Sequence, residues 1–361
     1  MGYEVDFLPV GNGERSGDAI ALRFGNLHGS RSEQTVVVID GGYNESGEAL
    51  VEHMSRYYKT DKVDIVVSTH PDADHAAGLA VVLDRLSVGA LWMHQPWKHT
   101  KDISEMFKDG RVTDKSVRED LRKSLESAHE LEQLVERHRI PIVEPFTGLS
   151  DRTGRIVVVG PTEKFYESLL PGFRGTPEPK GLLGLLGKTF QEGKEIIKRI
   201  AERWDFETLT DEGETSAENN SSAIILVQGE NDDYMLLTGD AGIPALTAAA
   251  DYLASRGFDF SKLGFLQVPH HGSQRNVGPT ILNRLLGPKL SADMNIKVAF
   301  VSAAADGEPK HPSKKVTNAF RRRGLPVHAT QGSTKRHSRN APDRPNWVAS
   351  TPLPFYHEVE E

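Results

Sequence analysis

Apolar and polar positions alternate in short runs over the first forty residues. Glu4 to Val10, Ala19 to Phe24 and Thr35 to Ile39 each read as a strand, separated by turns rich in Gly, Asn and Ser. Glu48 to Tyr58 then carries helical spacing, followed by a strand over Val63 to Val67, a helix over Ala76 to Leu86 and a strand over Ala90 to His94. Ser116 to His138 shows the clearest helical period, with Val117, Leu121, Leu125, Ala128, Leu131, Leu134 and Val135 on one stripe between charges. Ile140 to Val143 and Ile156 to Val159 read as strands. So do Ala223 to Gln228, Tyr234 to Leu237, Gly264 to Val268, Val298 to Val301 and Pro326 to Ala329. Helices are expected over Ile243 to Arg256 and Ser313 to Arg323. Strands alternating with helices predict an α/β architecture.

The stretch Thr162 to Glu218 departs from this alternation. It holds Pro171, Pro177, Pro179 and Gly181-Leu-Leu-Gly-Leu-Leu-Gly187, a helical pattern over Gln191 to Trp204 and an acidic run to Glu218. A connection of that length reads as a packed lid or a binding loop, and its Leu/Gly stretch as lid core or as a partner or membrane contact. No internal repeat or inter-domain linker interrupts the chain, which predicts a single domain, 1–361, with insertions at about 95–115 and 162–218.

Polar residues cluster where strands end. Ser68-Thr-His-Pro-Asp-Ala-Asp-His-Ala-Ala-Gly-Leu79 follows the strand ending at Val67 and packs His70, Asp72, Asp74 and His75 into six positions. A helix cannot aim all four at one centre, because alternate positions on it diverge by about 200°. A turn leaving a strand can, and His with Asp is a divalent-cation ligand set when thiolates are lacking. Three further clusters share the context: Asp40 after Val36-Val-Val-Ile39, Asp240 after Met235-Leu-Leu-Thr-Gly239, and His270-His271 after Phe265-Leu-Gln-Val-Pro269.

Composition narrows the classes. The 361 residues are 37% hydrophobic and 26% charged, with no apolar run near the roughly 20 residues that span a bilayer. Met1-Gly-Tyr-Glu-Val-Asp6 lacks the basic start and apolar core of a secretory signal, and Asp6 does not fit a myristoylation motif. A cytoplasmic location is therefore expected. The absence of cysteine removes disulfides, thiolate metal sites and a cysteine nucleophile. The net charge of −8 is uneven: Glu308 to Arg344 holds ten Lys or Arg against two acids. That segment reads either as a surface steering an anionic substrate or as a solvated helix and loop.

The series Asp40, His70-x-Asp72-x-Asp74-His75, Gly239-Asp240 and His271-Gly272 resembles the metallo-β-lactamase superfamily. More narrowly it is similar to the metallo-β-lactamase-like domain of ComEC, the bacterial competence (DNA-uptake) channel protein. The narrower likeness rests on Phe7-Leu-Pro-Val-Gly-Asn-Gly-Glu14, Gly17-Asp-Ala-Ile20, Thr69 to His75, Asn219-Asn-Ser-Ser222, Leu237-Thr-Gly-Asp-Ala241, Val268-Pro-His-His-Gly-Ser273 and His311-Pro-Ser313. The chain departs from that channel protein in carrying no transmembrane segment. It departs from the superfamily's commonest pattern in placing Asp72 where a second histidine usually sits, and in offering no histidine near Asn219-Asn220.

The resemblance implies a four-layer αββα sandwich and a binuclear site for two divalent ions, Zn²⁺ or Mn²⁺ first and Mg²⁺ next. His70 and Asp72 would hold one ion, Asp74, His75 and His271 the other, and Asp240 would bridge. Asp40 would fix the ligand loop through hydrogen bonds. A histidine directly before glycine matches the ligand of related motifs, so His271 is favoured over His270, which would support it or touch substrate. A metal-bound hydroxide would attack, with Asp74 taking or steering its proton. His311 would protonate a leaving oxygen or bind phosphate, or be a surface histidine. Asn219, Asn220, Ser222 and Ser273 could donate to developing charge, unless Asn219-Asn220 only forms a turn. No Gly-x-Ser-x-Gly elbow supports covalent catalysis.

Three functions follow. The leading one is a metal-dependent phosphodiesterase or nuclease acting on an anionic small molecule or single-stranded nucleic acid, with Trp92 or Trp97 either stacking on bases or packing in the core. The second is hydrolysis of a lactone, thioester or β-lactam, and the third a non-catalytic, metal-stabilised regulatory module. The oligomeric state is left open by the sequence.

Overall fold

The computed structural model describes residues 1–11, 13, 15–180, 199–306 and 311–360. In chain order the first half runs β1 (Gly2–Phe7), β2 (Ala19–Gly25), β3 (Gln34–Gly41), α1 (Asn44–His53), β4 (Lys62–Ser68), α2 (Ala73–Arg85), β5 (Ser87–Met93), α3 (Asp114–Ser124), α4 (Glu126–His138), β6 (Ile142–Val143), β7 (Ile156–Gly160) and α5 (Glu163–Leu169). The second half runs β8 (Arg199–Ala201), α6 (Ala217–Asn220), β9 (Ile224–Gln228), β10 (Tyr234–Leu237), α7 (Ile243–Ser255), β11 (Leu263–Gln267), α8 (Pro279–Leu286), β12 (Val298–Val301), α9 (Lys314–Arg322), β13 (Val327–Ala329), β14 (Lys335–Arg339) and β15 (Glu358–Glu360).

Two sheets form the middle layers, a seven-stranded one in the order β14-β1-β2-β3-β4-β5-β6 and a six-stranded one in the order β13-β12-β11-β10-β9-β7. The period of two along each strand feeds two cores at once. On β3, Val37 and Ile39 face the other sheet while Val36 and Val38 face a helix layer. On β9, Ile225 and Val227 face inward and Ile224 and Leu226 face the opposite helix layer. Strands covered on both faces must be apolar throughout, which is why Val36-Val-Val-Ile39 shows no polar alternation. Leu79, Val82 and Leu83 of α2, with Val117 and Leu121 of α3 and Ala128, Leu131 and Val135 of α4, close one outer layer. Ala245, Leu246 and Ala249 of α7, Ile281, Leu282 and Leu285 of α8, and Val316, Ala319 and Phe320 of α9 close the other. The fold is thus the expected mixed α/β sandwich of four layers.

Strand direction decides where the polar turns gather. β3, β4 and β5 run parallel, as do β10, β11, β12 and β13, so their carboxyl ends collect at one edge, the usual place for ligands in such sheets. β2 is antiparallel to β3 with Ala19 opposite Gly41, which carries Asp18 to the same edge.

Several expectations change. The single helix over Ser116 to His138 is two, α3 and α4, meeting at Leu125 (φ −110°, ψ 48°). The break falls beside Ser124, whose hydroxyl donates to the Arg174 carbonyl at 2.8 Å. The helix over Gln191 to Trp204 is overturned for its described part. Residues 199–201 form β8, paired with β15, and Arg203 with Phe206 closes a turn, while 191–198 lie outside the described residues. The stretch Gly181 to Gly187 lies there too. β14 and α8 were not identified from the pattern: β14 is Lys-Arg-His-Ser-Arg, held as an edge strand by pairing with β1, and has no apolar residue to signal it.

Five of the ten cations of the basic segment are spent on acids. Arg336 and Arg344 pair with buried Glu4, and Arg344 also with buried Asp6; Arg322 pairs with Glu202 and Arg323 with Glu207, all at the protein interior, while Arg321 pairs with Asp293. Its Lys310 lies outside the described residues. Trp92 is buried between the sheets, and Trp97 is buried with its indole N–H on Glu132, so neither can stack on a base. Among the described residues no helix is long and apolar enough to cross a membrane.

Candidate metal centre

The turn after β4 positions the first ligands. α2 begins at Ala73, three residues earlier than the pattern suggests, so Asp74 and His75 lie in its first turn and Asp72 at its N-cap. The Asp72 side chain makes no cap hydrogen bond; it turns to the centre instead. Helix α2 can approach β3 only because Gly78 has no side chain: a Cβ there would sit 2.1 Å from the Gly41 carbonyl oxygen.

Hydrogen bonds settle which ring nitrogen each histidine presents. Asp40 accepts from the Thr69 N–H at 2.8 Å and from the Thr69 hydroxyl at 2.7 Å, and its Oδ2 lies 2.8 Å from His75 Nδ1. That carboxylate has no proton to give, so His75 donates from Nδ1 and turns Nε2 to the centre. With its hydroxyl proton spent on Asp40, Thr69 Oγ1 accepts from His70 Nδ1 at 3.1 Å. His271 Nδ1 donates to the Ser302 carbonyl at 2.9 Å. All three imidazoles therefore aim Nε2 at one place, and each of these buried atoms lacks a hydrogen-bond partner.

Carboxylates meet them there. Asp240 Oδ2 lies 3.3 Å from His75 Nε2 and 3.7 Å from His70 Nε2. Asp74 Oδ2 lies 3.5 Å from His271 Nε2 and 3.8 Å from His75 Nε2. His70, His75 and Asp240 form one compact group, and Asp74, His75 and His271 another. Asp72 joins neither compact group. Its Oδ2 is 3.6 Å from His70 Nε2, and its Oδ1 accepts from Arg174. The donor set and the orphaned Nε2 atoms fit divalent cations, since a buried polar atom without a partner is costly unless an ion or water completes it.

The electrostatics agree. Burial disfavours a charged His75, yet Asp240, Asp74 and Asp40 hold its pKa well above the ordinary imidazole value. His271, likewise opposed by burial, is pushed up to about 9 by Asp240 and Asp74. Burial raises Asp240, but His75, His270 and His271 outweigh it and hold the carboxyl well below its usual range. A field that charges buried imidazoles is one that cations would satisfy with the rings neutral.

His270 stands apart from the ligand groups. Its Nδ1 lies 2.9 Å from Asn276 Oδ1 and 3.1 Å from Asn219 Nδ2, and its Nε2 is 3.8 Å from Asp240. His311 sits at the rim, its ring 6.5 Å from that of His271 and 6.4 Å from that of His270. Burial, then the charges of His271 and His270, push His311 down to about 3. Asn220 spends one amide hydrogen on the Ser216 carbonyl at 3.1 Å, inside its own turn, and leaves Oδ1 buried and unpartnered. Ser222 accepts from the Asp240 N–H at 3.1 Å and so anchors that loop.

Backbone strain marks the same residues. Asp40 (φ 54°), His270 (φ 47°) and His271 (φ 55°) all adopt the left-handed region, which non-glycine residues avoid unless their surroundings impose it. Gly272 (φ 87°) follows, and a Cβ there would sit 2.3 Å from the Pro312 side chain.

Two residues at the centre escaped the sequence reading. Asp18 is buried, accepts from Gln267 at 2.9 Å, lies 3.8 Å from His75 Nδ1 and leaves Oδ1 without a partner. Burial raises its pKa to about 6 against the pull of His75 and His271. The motif Gly17-Asp-Ala-Ile20 was visible, and the antiparallel pairing of β2 with β3 is the signal that would have brought Asp18 to Asp40. Arg174 comes from the 162–218 stretch, and nothing local marks it.

Asp40→Asn tests the support of His75. Asparagine accepts at only one of the two positions, so it loses either the Thr69 N–H or both the Thr69 hydroxyl and His75, and metal affinity is expected to fall by roughly 10- to 100-fold. Chelator competition on the purified chain measures this; affinity within twofold of the parent would refute the role.

The model of the metallo-beta-lactamase superfamily matches residues 30–287. Over 126 residues the chain is 29% identical to the protein YcaI of Escherichia coli (strain K12), a match covering 35% of this chain and 14% of YcaI. The chain thus spans only a small part of that relative's length. Among solved structures, a diphosphatase from the PhnP family overlays with a TM-score of 0.40 at 11% identity, covering 94% of this chain and 98% of the other. A metallo beta lactamase from Hirschia baltica gives 0.30 at 12% identity, covering 78% and 95%. Overlays this loose transfer nothing to the present chain.

Proposed function

The chain belongs to the metallo-beta-lactamase superfamily of metal-dependent hydrolases, and from that premise we propose that it cleaves phosphodiester bonds in single-stranded nucleic acid or an anionic small molecule. We place it with the competence-type relatives on the motifs Thr69 to His75, Asn219 to Ser222 and Val268 to Ser273. The observation carrying the substrate class is the charge at the mouth. The Arg174 side chain, 39% exposed, reaches Asp72, and exposed Arg15, on the loop whose Gly17 abuts Asp74, lies 5.8 Å over the Tyr43 ring. With Arg174 engaged on Asp72, the exposed Arg15 is the cation beside this carboxylate-rich centre that suits an anion; a lactone or β-lactam pocket calls for apolar lining there.

Two divalent ions at these ligands would lower the pKa of water and neutralise charge developing on the substrate. The residues divide the remaining tasks. Asp240, 3% exposed, lies between His70 and His75 and is suited to bridge. Asp74, 28% exposed, is the more accessible carboxylate and is suited to take a proton from attacking water. His311, kept neutral by burial, offers substrate a hydrogen bond. Arg15 is suited to orient the anion.

Cleavage of single-stranded DNA and of cyclic and linear dinucleotides with Mn²⁺, Mg²⁺ or Zn²⁺ is expected, and a chelator should abolish it. Lactone, thioester and β-lactam substrates run in parallel. Turnover of those alone, with every phosphodiester untouched, would overturn the reading.

A further inference from the structure

The Asp72–Arg174 pair divides the two oxygens of one carboxylate. Oδ1 accepts from Arg174 Nη2, while Oδ2 stays 3.6 Å from His70 Nε2. Arg174 is delivered there by its own main chain. Its N–H donates to buried Glu218 at 2.6 Å, and its carbonyl accepts from Ser124 at 2.8 Å. Gly175 follows with φ 83° and packs so closely on Ser124 that a Cβ would lie 2.4 Å from its hydroxyl oxygen. The guanidinium is thus presented to Asp72 by anchors on both sides, none of which involves the side chain itself.

Charge gives the pair a purpose. Aspartate adds a negative charge where the superfamily's commonest pattern has a neutral imidazole. Asp72 with Arg174 sums to zero, the charge of that imidazole. We propose that Arg174 is a positioning residue of the metal centre: it holds one oxygen of Asp72, leaves the other for the first ion, and compensates the added charge. The inference rests on the metal-binding reading of the centre. Its consequence is that Asp72 does not by itself make the first position a highly anionic one.

The test is metal binding by the purified full chain, read by competition with a chromophoric chelator and by the visible spectrum of the Co²⁺ form. Arg174→Gln removes a cation beside a dication and frees the second oxygen of Asp72. First-ion affinity should therefore tighten by about tenfold, and the Co²⁺ band should weaken as the coordination number rises. A purely structural role would instead weaken binding. Arg174→Lys keeps the charge, and its affinity should stay within about twofold of the parent. Unchanged or weaker binding in Arg174→Gln, or a lysine variant that behaves like the glutamine one, overturns the proposal. A parent chain that binds neither ion fails differently: it removes the metal centre itself.

Discussion

Asp240→Asn is expected to lower turnover roughly a thousandfold, about 4 kcal/mol of barrier, with the fold intact. Asp240 Oδ2 lies 3.3 Å from His75 Nε2 and 3.7 Å from His70 Nε2, and Oδ1 is buried without a hydrogen-bond partner. No other carboxylate stands in both places. The loop itself is held by its main chain: the N–H bonds Ser222 at 3.1 Å and the carbonyl accepts from Asn276 at 2.7 Å. An isosteric amide keeps that loop while removing one negative charge between the ligand groups. The measurements are kcat on whichever phosphodiester the parent cleaves and metal bound per chain, which should drop together. Turnover within tenfold of the parent would show that Asp240 does not bridge.

The second large effect concerns stability. Arg322 is fully buried and ties α9 to the segment after β8. It donates to Glu202 at 2.9 Å, and to the carbonyls of Arg203 (2.6 Å), Trp204 (3.0 Å) and Phe206 (2.9 Å). Glu202 also accepts from Asn318 at 2.7 Å and from the Thr208 N–H at 3.1 Å. Arg322→Met leaves a buried carboxylate with its ion-pair partner gone and takes the donor from the Trp204 and Phe206 carbonyls, while the Arg203 carbonyl keeps the Phe206 N–H at 3.0 Å, an expected loss of about 3–5 kcal/mol. Adding Glu202→Gln removes the stranded charge and should recover part of it. Urea denaturation of the parent, single and double variants reads both effects. A single-variant midpoint equal to the parent's would remove this network from the stability of the fold.

The centre was readable where its chemistry is compressed into neighbouring positions. His70, Asp72, Asp74 and His75 stand within six residues, and Asp240 and His271 each follow a strong apolar strand. Those runs are apolar because both sheet faces are covered, so the turn after each one is conspicuous. Arg174 and Asp18 were not readable in the same way. Arg174 lies in a proline-broken stretch with no periodicity, and its role depends on Glu218 and Ser124, 44 and 50 positions away. Asp18 matters only because β2 lies antiparallel to β3.

The Lys/Arg segment before Arg344 shows the opposite case, a pattern present in the sequence whose local charge count does not show that five of its ten cations pair with acids. Counting charge along the chain cannot tell a solvated arginine from one paired to a buried acid. Glu4 and Asp6 lie more than 330 positions from Arg344 and neutralise it only after folding.

By itself the sequence determined the alternation of strands and helices, the apolar runs that become two sheets, and the metal-ligand chemistry at their ends. These are local quantities, set by side-chain period and by residue type next to a strand terminus. The tertiary structure alone decided which ring nitrogen each histidine presents, which arginines are spent on buried acids, and that one carboxylate oxygen of Asp72 belongs to Arg174. Each of those is a pairing between residues far apart in sequence, formed when the parallel strand ends are drawn to one edge.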